Sequence, residues 1–106
     1  MNLSEDKVKP EFVSWVDEPT DEIVFCGYTI PVKRPFNFLS IDRYGLVEGH
    51  MTEPEYDVVT GDWISDTRGF DLGKVKHKSG SFLYFPEAPN AMMQINQETV
   101  KFKGTE

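Results

Sequence analysis

One thiol, two imidazoles and a series of carboxylates are the side chains here whose types suit covalent or proton-transfer chemistry. Cys26 with His50 or His77 could form the thiolate–imidazole pair of a nucleophilic enzyme. Cys26, however, falls at spacing two with Val24, Tyr28, Ile30 and Val32, and a free cysteine on the apolar face of a strand packs as a small hydrophobe. Reactive cysteines need an electropositive, partly exposed setting, and no basic residue flanks this one. Core packing is the expectation for Cys26. His50, Glu53, Glu55 and Asp57 put one imidazole and three carboxylates within eight residues. Pro54 interrupts them, and their spacing matches neither a His-Glu-x-x-His helix nor an Asp-x-Asp-x-Asp-Gly calcium loop. A solvated acidic loop without metal is expected. Asp57, Asp62 and Asp66 surround Gly61. Two carboxylates about 5 to 9 Å apart could hydrolyse a glycoside, but Asp beside a turn Gly ordinarily serves the turn. With a single cysteine, no intrachain disulfide or Cys-based zinc or iron–sulfur site can form. Neither Gly-x-Gly-x-x-Gly nor Gly-x-x-x-x-Gly-Lys occurs, so nucleotide-dependent chemistry has no cradle and no cofactor is expected.

The charges are segregated. The chain has 106 residues and a net charge of -7, and residues 1–22 and 48–71 each carry seven acids, against two bases and one base respectively. Such a field repels phosphates, so direct nucleic-acid binding is not expected and a protein partner with a basic surface is. Lys74, Lys76 and Lys78 alternate with Val75 and His77, which would line three lysines along one solvated strand face. The longest apolar run, Ile23 to Tyr28, is far short of the roughly 20 residues that span a bilayer, and a polar, acidic stretch follows Met1. No membrane segment or signal peptide is read, and a cytoplasmic location is expected.

Strands must position these groups. Residues 1–10 lack periodicity and are read as a flexible tail, residues 11–103 as a single β domain, and residues 104–106 as a short C-terminal tail. Phe12 to Val16 permits a short strand that Pro19 ends. Ile23 to Val32 alternates throughout and predicts one long strand, bent near Gly27 and running as an edge by Pro31. Asp42-Arg43-Tyr44-Gly45 predicts a hairpin between Leu39–Ile41 and Leu46–Glu48, Thr60-Gly61-Asp62 a second between Tyr56–Val59 and Trp63–Ser65, and Ser79-Gly80 a third between Val75–Lys78 and Phe82–Phe85. Strands also suit Ala91 to Lys103, where Met93, Ile95, Val100 and Phe102 fall. Strands every 8 to 12 residues or so, joined by Gly-bearing turns, give an all-β fold: a small antiparallel β-sandwich or partly open barrel built from hairpins.

Aromatic residues are numerous, and most belong in the core. Tyr44 at a turn tip and Trp63 just past an acidic turn are the two expected to be accessible and to anchor an interface. The apolar Phe82–Phe85 stretch needs cover on both faces, and it or an open sheet edge would serve for pairing two copies of the chain.

Within residues 37–63, NFLSIDRYGLVEGHMTEPEYDVVTGDW, a strand, an Asp-x-x-Gly turn, a strand, Glu53-Pro54, an acidic loop, Gly61 and Trp63 follow one another. This segment resembles a group of small phage- and prophage-encoded domains of unknown function. The resemblance implies action inside a bacterial host cell, where small acidic phage proteins commonly bind and redirect or block a host protein. The leading functional expectation is a noncatalytic acidic interaction module, with Tyr44, Glu48, Glu53, Glu55, Asp57, Asp62, Trp63 and Asp66 as its surface. In a variant of this reading the acidic face mimics nucleic acid in a basic groove. Two readings from other classes stand beside it: a small barrel holding an apolar or aromatic molecule, and a hydrolase using His50 or His77 with carboxylates.

Overall fold

The computed structural model describes residues 10–33, 36–77, 85–95 and 100–102. Ten strands follow one another along them: β1 (Glu11–Ser14), β2 (Asp21–Phe25), β3 (Tyr28–Val32), β4 (Phe38–Ile41), β5 (Leu46–His50), β6 (Glu55–Tyr56), β7 (Trp63–Ile64), β8 (Phe70–Lys76), β9 (Met92–Gln94) and β10 (Val100–Phe102). A single 3-10 turn at Ala88–Asn90 is the one helical element among the described residues. The fold is all-β, as the turn spacing predicts. Every pairing is antiparallel. Five strands form the large sheet in the order β1-β8-β5-β4-β9, β10-β2-β3 form a smaller one, and β6-β7 form a two-stranded arm. The large sheet ends at β1 and β9 and is not closed into a barrel. No helix of the described residues is long and apolar enough to cross a membrane.

The two larger sheets share one core. Ile23 and Phe25 of β2 and Ile30 and Val32 of β3 meet Leu39 and Ile41 of β4, Val47 of β5, and Leu72 and Val75 of β8. Each such side chain, fully buried, contributes about 1.5–3 kcal/mol relative to exposure. The Asp42–Gly45 hairpin forms as expected: the Asp42 carboxylate accepts from the backbone N–H of Tyr44 at 2.8 Å and of Leu46 at 3.0 Å. The Ser79-Gly80 hairpin, the Phe82–Phe85 strand (apart from Phe85, which lies outside any strand) and both tails (apart from Pro10) lie outside the described residues.

The long strand over Ile23–Val32 is corrected to a hairpin. Phe25 pairs with Tyr28, leaving Cys26 and Gly27 as a two-residue loop with φ of 53° and 82°. Positive φ at both loop positions matches the right-handed twist of the flanking strands. The reversal changes which parity faces inward: odd residues of β2 and even residues of β3 are buried. Cys26 is therefore exposed at a turn and not in the core, contrary to the sequence expectation. Its thiol pKa is nevertheless pushed up, first by partial burial and then by Glu87, so it is not activated as a nucleophile.

Candidate functional site

The face of the large sheet turned away from this core is polar. In β4 and β5, Leu39 pairs with Gly49 and Ile41 with Val47 on the core side, so Ser40, Glu48 and His50 point the other way. The arm lies over that second face. Tyr56 and Trp63 pair across it with ring centroids 5.3 Å apart. The Trp63 indole N–H donates to the carbonyls of Ile41 at 3.0 Å and Ala88 at 3.2 Å. Arg43, in the β4–β5 turn, donates its guanidinium to the Val58 carbonyl at 2.6 Å and its backbone N–H to Gly61 at 3.0 Å. The arm is thus tied at its strands and at its tip.

His50 forms the third tie. Its Nε2 lies 2.8 Å from Ser40 Oγ and its Nδ1 3.1 Å from Ser65 Oγ. The Ser65 hydroxyl donates its one proton to the Thr67 carbonyl at 2.7 Å, so it accepts from Nδ1–H. Burial holds the His50 pKa below its usual value and keeps the ring neutral, so Nε2 accepts from the Ser40 hydroxyl. A serine hydroxyl on an imidazole is the pairing of a hydrolase, but Ser40 is 0% and His50 1% exposed, and the partners of the ring are two hydroxyls and no carboxylate. His77 follows β8 and does not join this group.

Two clefts flank the arm. The outer one, about 580 Å³, is lined by Glu53, Glu55, Tyr56, Asp57, Val58, Ile64, Ser65 and Asp66. Four of the expected surface carboxylates converge there around an apolar floor whose Ile64 is 55% and Val58 72% exposed. Asp57 also organises the tip loop, accepting from the N–H of Val59 at 2.9 Å. Glu53, Glu55 and Asp66 enter no ion pair within the described residues. The inner cleft, about 400 Å³, lies between arm and sheet, with Asp42, Glu48, His50, Asp62, Trp63 and Arg68 among its lining. Burial, then the charges of Asp71, Asp42 and Asp62, push the Glu48 carboxyl up to about 7. Burial likewise raises Asp42 against the lowering effect of its two backbone N–H bonds.

The eight expected surface residues therefore separate into groups. Glu53, Glu55, Asp57 and Asp66 share the outer cleft, while Glu48, Asp62 and Trp63 share the inner one. Tyr44, 38% exposed, stands at its turn tip and lines neither. Trp63 is corrected from accessible anchor to buried brace, because its indole N–H is spent on two carbonyls inside the fold. Sequence reasoning missed Ile64 as the outward-facing partner of Trp63. Alternation across β7 carries that signal, although a two-residue strand gives no phase by itself. No group of three or more His, Cys, Asp or Glu suited to holding a metal ion occurs among the described residues. Comparison of the chain with protein-family models, curated proteins and solved structures finds no match.

Proposed function

We propose that the protein is a noncatalytic interaction module whose β6–β7 arm takes a basic, aliphatic-bearing segment of a protein partner. The observation that carries this reading is the outer cleft, where Glu53, Glu55, Asp57 and Asp66 rim a floor of Tyr56, Val58 and Ile64. Covering exposed aliphatic surface contributes about 25 cal/mol per Å² removed from water, and the rim carboxylates select Lys or Arg beside the inserted side chain. Exposed ion pairs are each worth only about 0.2–1 kcal/mol, so apolar contact supplies most of the affinity while charge sets selectivity and association rate. Nucleic acid would meet repulsion at the same rim. The phage and prophage resemblance read over residues 37–63 takes in β4, β5, β6 and the start of β7, so it covers the Glu53–Val58 side of the outer cleft and stops just before Ile64–Asp66. A host protein is the partner that this resemblance favours.

The test is a fluorescence anisotropy titration with two labelled peptides, one holding Leu between Lys and Arg, the other with Glu in place of both bases. The basic peptide should bind more tightly at low salt. A Glu55→Gln/Asp66→Asn double variant should weaken it by about two- to thirtyfold, the loss expected of two exposed pairs. Equal binding of the two peptides, or an unchanged affinity in the double variant, would overturn the assignment.

A further inference from the structure

Glu48 and Asp71 are direct cross-strand partners in the β5–β8 ladder, separated in sequence but opposite each other in the sheet. Like charges placed opposite one another destabilise a sheet. Here Glu48 is half-buried and meets the charge of Asp71 across the ladder, so a proton on Glu48 removes the repulsion between them. A β-bulge falls beside the pair: Val47 pairs with Gly73 and Glu48 with Asp71, so Leu72 is the unpaired extra residue. Beyond this bulge β8 holds β5 through only Glu48–Asp71 and Gly49–Phe70, whereas Val47–Gly73 and Leu46–Lys74 lie on the other side.

The connection from the arm enters β8 across this pair. A Cβ on Gly69 would lie 3.3 Å from Glu48 Oε2 and 3.1 Å from the His50 ring, so the backbone at residue 69 crosses directly over both groups. The other charged groups facing Glu48 are mostly of its own sign: Asp71 from β8, Asp42 from the β4–β5 turn and Asp62 from the entry to β7. Neutral His50 follows on the same strand, Arg68 lines the cleft, and Lys74 of β8 acts on Asp42.

We propose that Glu48, opposite Asp71, is a proton-operated latch: a proton on Glu48 lets the first residues of β8 close onto β5, and its loss sets two carboxylates against each other and frees the Gly69–Asp71 segment up to the bulge. The rest of the ladder does not depend on that proton. Burial and three acidic neighbours raise the Glu48 pKa from 4.5 to about 7, which puts the latch near neutral pH. Opening releases the Glu48 proton, so the open population grows with pH until Glu48 ionises in the closed form as well. The latch needs no partner and stands or falls apart from the docking reading.

Amide hydrogen exchange, corrected for the intrinsic pH dependence, tests it on the whole chain. Protection at Phe70 and Asp71 should fall roughly tenfold per pH unit on approaching about pH 7 and then level off, while Lys74–Lys76 keep theirs. Glu48→Gln removes the titrating group and should make protection at Phe70 independent of pH. Asp71→Asn removes the opposing charge, should make the slope shallower and serves as the second variant. A flat profile in the natural chain, an equal loss at Lys74–Lys76, or an unchanged slope in both variants would overturn the latch.

Discussion

Ser40 and His50 stand 2.8 Å apart, a distance suited to a nucleophile and its base, yet both are buried beneath the arm. Their role is structural: Ser40, His50, Ser65 and the Thr67 carbonyl form a chain of hydrogen bonds that satisfies every polar atom it buries. Ser40→Ala would leave His50 Nε2 buried without a donor, at a cost of about 1–3 kcal/mol. In a chain of this size each kcal/mol lowers the Tm by about 4–8 °C, which thermal unfolding followed by circular dichroism would register. The same chain sets a pH response opposite to that of Glu48. Burial lowers the His50 pKa below 6.5, so the unfolded chain binds the extra proton first and His50 withdraws stability as pH falls below that value. Glu48 is shifted upward, so its contribution is greatest below pH 4.5 and is lost as pH rises to about 7. Stability measured against pH should separate the two: Glu48→Gln removes the alkaline-side loss and leaves the acid-side loss in place.

Turns were the most legible elements and strand phase the least. Asp42 and Gly45 mark the β4–β5 hairpin because an Asx carboxylate and a positive-φ glycine have few other uses at that spacing. The arm likewise forms around Gly61, although its strands are shorter than Tyr56–Val59 and Trp63–Ser65, because Val58 and Val59 belong to the tip loop. From Ile23 to Val32 apolar residues occupy both parities, so a hairpin that switches the buried face reads as one uninterrupted strand. Cys26 at the first loop position hides the reversal, since Asn or Asp is the usual signal there. Gly27→Ala should cost roughly 1–2 kcal/mol through its positive φ, and Cys26→Asn should hold or raise the Tm. A Tm for Gly27→Ala equal to that of the natural chain would remove the hairpin as the source of this constraint. The β8 bulge was invisible for a similar reason: Leu72 and Val75, both buried, fall at spacing three in a strand.

At the scale of the molecule, acidic character was legible but its division was not. Glu48 and Asp71, or Asp42 and Asp62, are about twenty residues apart and meet only through the order of strands in the sheet and the fold-back of the arm. That topology sorts one negative stretch into an inner cleft lined by Asp42, Glu48 and Asp62 and an outer cleft lined by Glu53, Glu55, Asp57 and Asp66. Screening separates them experimentally, because exposed charges weaken beyond a Debye length of about 10 Å at 0.1 M salt and half-buried ones much less. The most direct measurement is a backbone-amide NMR titration of the labelled chain with the Leu-centred basic peptide at low and at high salt. Shift changes should concentrate at Glu53–Val58 and Ile64–Asp66 and shrink at high salt, while β2 and β3 stay unmoved. Changes centred on any other surface, or a response that salt leaves intact, would contradict the docking of a basic segment on the arm.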